Sequence, residues 1–483
     1  MTAMTTVNAV RSPVFMLTVL LVACVGAVRN PLYCDDVVVC VDPVFSICDP
    51  IAHECQSGLS DGGDDLARDQ AAPECTLSAA CLEPLAPICT TEGRCAACGS
   101  DGECLARSTL WPRCQASGAC VVCQVATDCS TSAPVCDQGS CRACRSHGEC
   151  GSAVCRPDGT CVPPADVAYV GHSVSCANSM HASTPANPFC ELGPAVASGK
   201  SWVVVAGSST AYATTGVVFS GTTLTLVGPG RAASPSAVLA GTTAPSVQVA
   251  VGETITIDGF EITTSLVDAV FCSTTDGSSS LTIHDCFIHG AGKAGIAVND
   301  CIVTVDASIV SGNAGGGIKL ASAAYTVTNT IIAGNGSGVA TAAGVSIDNG
   351  STGVFAFNTV AKNTVAAGAG GVDCGSGATK SIADSIVWRN TTSAGTQLGP
   401  ACVLDHVVTV AGDDSRGTRA ALAPTFVSSI DFHLVANDSA NLACCIDQVA
   451  ATGTPHADHD VDGHVRPRGG GATPYDIGAH EPP

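Results

Sequence analysis

LTIHDCFI (281–288), VTVDASIV (303–310), YTVTNTII (325–332), VFAFNTV (354–360) and KSIADSIV (380–387) read as one unit written five times, with starts 22, 22, 29 and 26 residues apart. A second short strand follows the earlier units: GIAV from 295, GIKL from 317, GVSI from 344 and GVDC from 371. Within each strand apolar residues alternate with small or polar ones, the period-2 pattern of a strand with one buried face. Short strands repeating at this spacing predict a solenoid in which each coil stacks on the last.

Stacking the second strands puts Cys272, Val298, Leu320, Ile347 and Cys374 in one inward column, with neighbours about 4.8 Å apart. Asp258, Asp285, Asn329, Asn358 and Asp384 read as a structural ladder after the first strand, broken by Ala307. Side chains of this type can hydrogen-bond from rung to rung and tolerate tight turns. Asn313, Asn335, Asn363 and Asn390 mark a second turn of the same units. The expected fold is all-β, with about nine coils estimated from some 210 residues. The pattern resembles the right-handed parallel β-helix family, the architecture of pectate lyases and of many bacterial surface proteins. Handedness comes from that resemblance.

Composition agrees with thin coils: 13% of the 483 residues are charged, 4% are aromatic, and glycine is plentiful at 52 residues. A net charge of −22 with no basic stripe excludes nucleic-acid binding through phosphate neutralisation. Thirty cysteines point to an oxidising compartment. Residues 14–23, VFMLTVLLVA, form an apolar core of signal-peptide length that is too short to span a bilayer. Leu21-Val22-Ala23-Cys24 resembles a bacterial lipobox, which implies cleavage before Cys24, acylation of that cysteine, and a membrane partner through the lipid. A fully secreted chain is the alternative.

The expected domains are a lipoprotein-type signal peptide (1–23), a linker (24–33), cysteine-rich disulfide repeats (34–161), a β-helix with its amino-terminal cap (165–423) and a carboxy-terminal cap module (424–483). The repeats hold five units of four cysteines: Cys34, Cys40, Cys48 and Cys55; Cys75, Cys81, Cys89 and Cys95; Cys98, Cys104, Cys114 and Cys120; Cys123, Cys129, Cys136 and Cys141; Cys144, Cys150, Cys155 and Cys161. So few large apolar residues accompany them that covalent staples must replace a core. An even count favours disulfides, with pairing inside each unit as the simplest arrangement. The CxxC junctions leave zinc as the rival reading. Ser60–Asp69 reads as a solvated acidic insert.

YVGHSVSC…FCELGPAVASGKSWVVVAGS resembles the opening segment of secreted bacterial β-helix proteins, where a strand and a short helix cover the first coil; Cys176 and Cys190 are expected to pair there. At the other end, DFHL (431–434), Asp460–Gly463, Arg466-Pro467 and DIGAHE (476–481) resemble a choice-of-anchor module. Cys272 and Cys374 read as buried thiols. Cys286, Cys301, Cys402, Cys444 and Cys445 are then an odd set with at least one member unpaired.

No catalytic residue stands out. Asp458, Asp460 and Asp462 open a calcium-like loop, but Gly469 occupies the place of the closing glutamate. Calcium is therefore one reading, a turn with aspartate caps the other, and no cofactor is required. His456, His459 and His464 share that loop and, alternating with aspartates, read as a polar hairpin in preference to a zinc site. Lys319 and Asp373 are outward but two coils apart; His284 and Asp306 sit on neighbouring strands with no further company. The resulting expectation is an exported outer-membrane or cell-surface lipoprotein with a structural, adhesive or glycan-binding β-helix. Its partner would be a glycan, matrix or cell-surface component. A polysaccharide lyase or glycoside hydrolase acting on acidic polysaccharide is the alternative.

Overall fold

The structure is a computed structural model and describes residues 47–49, 54–56 and 74–482, except 180–183, 216, 218, 220–222, 265, 338–343, 393–395, 410–422, 450–457 and 468–473. The signal segment, Cys24, Cys34, Cys40, the acidic insert and His456 lie outside the described residues. Contacts divide the chain into two compact units. The first includes the antiparallel hairpin Ile47–Asp49 with Glu54–Gln56, which sets Cys48 opposite Cys55. The second holds Cys81, Cys89 and every later cysteine, the coil and the carboxy-terminal module.

Among the described residues the coil is a parallel β-helix built of three main parallel sheets with ten, nine and six strands, with a short further pair of Thr364–Val365 and Thr391–Thr392. The first runs from Val167–Val170 to Cys402–Asp405, the second from Tyr212–Ala213 to Val408–Thr409, and the third from Val247–Val249 to Val372–Asp373. The six third-sheet strands and a bridge from Val372 to Leu398 mark about seven complete turns. The expected nine overcounts because the opening strands at Val167, Trp202 and Thr223 precede the third sheet.

Leu281, Val303 and Tyr325 stand in line on adjacent rungs, as do Val298, Leu320 and the outward pair Ala297 and Lys319. The next rung begins one residue earlier than the apolar pattern indicates: Gly353 pairs with Tyr325. Inward residues from all three sheets, such as Ile283, Ile288 and Ile296, fill one continuous core and are fully buried.

This shift corrects the expected ladder. Asp285, Ala307, Asn329, Phe357, Asp384 and His406 share one corner, each with φ between 45° and 56°. Asp258 lies one residue before that corner and pairs with His284; Asn358 lies one after it and its side-chain oxygen accepts from Thr330 N. The continuous ladder is the second turn. Asn313 Nδ2 donates to Asn335 Oδ1, Asn335 to Asn363 and Asn363 to Asn390, at 2.9, 3.0 and 2.9 Å, and Asn390 Nδ2 donates to Gln397 Oε1 at 3.1 Å. All four asparagines are buried. Their side chains satisfy backbone groups where each coil leaves one sheet for the next, and a buried polar group must be satisfied.

In the cysteine units the first and third cysteines are bonded, and the second and fourth: Cys98–Cys114 with Cys104–Cys120, Cys123–Cys136 with Cys129–Cys141, and Cys144–Cys155 with Cys150–Cys161. Cys81–Cys95 follows the same rule. With sulfur committed to sulfur, the CxxC junctions offer no zinc thiolates. A carboxylate repeats with the cysteines, since Glu103, Asp128 and Glu149 each accept from the amide just after the unit's first cysteine.

Cys176 and Cys190 are bonded beside the first coil. Cys272 and Cys374 are not thiols: they bond Cys301 and Cys402, each about one coil further along the chain. Each bond joins two different columns, so spacing within the Cys272-to-Cys374 column does not reveal it. Cys444 bonds its neighbour Cys445, and Cys286 is the one free cysteine among the described residues.

The carboxy-terminal module lies along the outer face of the second sheet and is not a cap on the end of the stack. Phe357, Ile386 and Val408 pack against its Leu434, Cys444, Tyr475 and Ile477, while Ile331, Ala333 and Ala361 meet Phe432, Val461 and Ala479. DIGAHE fastens this plate. Gly478 N donates to Asp384 O and Ala479 N to Thr359 Oγ1. Buried Arg466 donates to the Asp476 and Gly478 carbonyls, pairs with Glu481 at 3.2 Å and stacks over Phe357. A Cβ on Gly478 would sit 2.8 Å from Ile386 Cδ1, so the glycine permits the close approach.

Candidate functional site

Two outward regions gather groups that can act on a ligand. The first lies on the third sheet, where Phe271, Ala297 and Lys319 follow one another outward, one per rung. The small residues Ala294, Ala297, Ala314, Gly315 and Ala321 floor a groove of about 660 Å³. Phe271, Lys293, Asn299 and Lys319 stand along it, and both lysines are exposed. The chain has five lysines against 42 acidic residues, so two in one groove form a local exception to its charge. Asp268 bounds the groove, and its Oδ1 accepts from Ala294 N at 2.9 Å. Ser346 and Asp373 continue the outward column, so Lys319 and Asp373 remain separated by one rung. Groups of this kind can hold a saccharide: an aromatic face for a sugar ring, ammonium and amide donors for its oxygens, and an open trough for length.

The second region is a shoulder at the ends of the first-sheet strands. Asp258, His284 and Asp306 occupy one position on three successive rungs. The coil alone would leave them a surface column. Two loops give them the company that the strand sequences do not show. From the last cysteine unit, His147 Nε2 reaches Asp258 Oδ2 at 3.0 Å. From the carboxy-terminal module, His459 Nε2 reaches Asp306 Oδ2 at 2.9 Å.

Hydrogen bonding fixes several proton positions. His147 Nδ1 accepts from Cys155 N, so its Nε2–H donates to Asp258. His284 Nδ1 lies 2.9 Å from Asp258 Oδ1 and donates to it, which in the neutral ring leaves the Nε2 lone pair facing Asp306 and His459. Asp306 Oδ1 accepts from Thr328 Oγ1 and Asn329 Nδ2. Burial opposes ionisation of Asp258, yet the hydrogen bonds from His147 and His284 hold its pKa down at about 2. Burial likewise works against charge on His284, but Asp258 and Asp306 raise its pKa above the usual imidazole range.

In the calcium-like loop Asp460 and Asp462 have protein partners. Asp460 is buried; one of its oxygens accepts from the Asp462 and His464 amides and the other from Glu481 N. Asp462 turns to Arg231 at 3.0 Å and to His433 at 3.1 Å, and Arg231 also pairs with Asp285. Asp460 thus follows the turn reading, and the signal available for it was the alternation of aspartates with donors. His464 is exposed. The contribution of His459 was not legible, because it depends on the module lying alongside the coil.

Residues 239–405 match the family described as right handed beta helix region, and residues 61–167 match a family of unknown function that covers most of the cysteine units. No curated protein matches the chain. The crystal structure of pectate lyase Pel9A aligns with a TM-score of 0.34 at 13% identity, over 66% of this chain and 96% of that one. The chain is therefore an all-β protein whose central third matches the right-handed β-helix pattern, preceded by a disulfide-rich region.

Proposed function

We propose that this is an exported, lipid-anchored surface protein whose β-helix holds an acidic glycan along the third-sheet groove. The carrying observation is the meeting of Lys293 and Lys319 with Phe271 and Asn299 on one outward trough. At physiological ionic strength the Debye length is about 8 Å, so the distant negative charge is screened and the groove's own two ammonium groups outnumber the single carboxylate of Asp268. Disulfides in the four cysteine units between Cys75 and Cys161 support export. Leu21–Cys24 supports a lipid anchor, and palmitate labelling that disappears in Cys24→Ser tests it.

For the groove, the full chain is run in affinity gels containing a polyuronate or a neutral glucan. Retardation by the polyuronate is expected. Lys293→Glu with Lys319→Glu should weaken it about tenfold or more, equivalent to ~1.4 kcal/mol. Unchanged retardation in the double variant would overturn the assignment. Release of unsaturated sugars with added calcium would replace binding with lyase activity.

A further inference from the structure

The shoulder carries an inference independent of the groove. We propose that His284 Nε2, Asp306 Oδ2 and His459 Nε2 form a binding site for a divalent transition metal of the zinc class, one that clamps the carboxy-terminal module to the coil. The three atoms lie within 4.8 Å of one another; Asp306 Oδ2 is 2.9 Å from His459 Nε2 and 3.9 Å from His284 Nε2. Metal–ligand bonds of about 2.0–2.1 Å in tetrahedral geometry place ligand atoms roughly 3.3 Å apart, so a modest rotation of two half-exposed imidazoles completes the triangle. Two imidazoles and one carboxylate select zinc, cobalt or nickel over calcium and magnesium, which favour oxygen ligands.

The surrounding hydrogen bonds are those a metal site needs. A ligating histidine ordinarily donates its other ring nitrogen to a carboxylate, which fixes the tautomer and aims the lone pair. His284 does this through Asp258, and His147 holds Asp258 in turn. The ligating carboxylate is pinned on its second oxygen by Thr328 and Asn329. The two imidazole rings stand nearly perpendicular, with centroids 5.9 Å apart. The side chains are 39%, 18% and 34% exposed, so a fourth position opens to water.

The nearby His433 is different. Asp431 engages its Nδ1 and Asp462 its Nε2, so both ring nitrogens already have carboxylate partners.

The test uses the full chain with disulfides intact, stripped with chelator, loaded with zinc alone and freed of excess metal. One zinc per chain should remain by elemental analysis, and cobalt in its place should give visible d–d absorption. His459→Ala and Asp306→Asn should lose both signals and weaken zinc binding at least about 100-fold, whereas His464→Ala from the same loop retains them. Asp258→Asn should weaken zinc about 10- to 100-fold through the orientation of His284. Circular dichroism and the melting temperature of each stripped variant establish that it is folded. Failure of the native chain to retain zinc, or equal retention by His459→Ala and Asp306→Asn, would overturn the proposal.

Discussion

Asn335 makes four side-chain hydrogen bonds: Nδ2 donates to Val310 O and Asn363 Oδ1, and Oδ1 accepts from Asn313 N and Nδ2. Removing the amide strands several buried groups at once, each costing about 1–3 kcal/mol. Asn335→Ala should therefore destabilise the coil by about 3 kcal/mol or more, whereas exposed Asn299→Ala should change it by less than ~0.5 kcal/mol; denaturant unfolding measures both. His433 supplies a pH dependence. Asp462, against the opposing effect of burial and together with Asp431, raises its pKa to about 9 from 6.5. The folded value exceeds the unfolded one, so this contribution is complete below pH ~6.5 and is lost as pH rises through 9. The melting temperature should fall between those limits, and His433→Gln should flatten that limb. At this scale the sequence showed which residue types recur. It did not show which of two adjacent positions turns the corner, because Asp258 and Asn358 suit either and the 325-to-353 spacing differs from the spacings before it.

Among the elements, strand register was legible wherever alternation was strict, as in the inward column from Cys272 through Val298 and Leu320 to Ile347. The bonds Cys272–Cys301 and Cys374–Cys402 were not, although their separations of 29 and 28 residues carry a shared signal: each is close to one coil plus a short step to the next corner. Cys286 is fully buried, and burial drives its thiol pKa above the usual range. A maleimide should leave Cys286 unmodified in the native protein and label it once denaturant is added without reductant. Cys272, Cys301, Cys374 and Cys402 should stay unlabelled in both conditions, as read by peptide mapping. Labelling of Cys272 or Cys374 there would restore the buried-thiol reading.

At the scale of the molecule, side placement of the carboxy-terminal module was written in strands that are apolar on both faces. Ile331-Ile332-Ala333 and Ile386-Val387-Trp388 break the alternation of the rungs before them, and their outward residues are the ones the module covers. Reading these strands by the same alternation as the others hid the module's seat, and with it the partner of Asp306. The cysteine units depend on their bonds, each closing 11 to 16 residues and contributing about 3 kcal/mol. Mild reduction followed by limited proteolysis should cut within residues 98–161 and spare the coil; initial cleavage inside the coil would contradict this division of stability. The last cysteine unit is joined to the first strand, Val167–Val170, by Val154 and Val162 packing on Val167 and by Tyr169 OH donating to Ser152 O, and to the later strand Thr254–Asp258 by His147 at Asp258. If the chain is tethered upstream, tension along it meets these attachments before it meets any hydrogen bond of the strand.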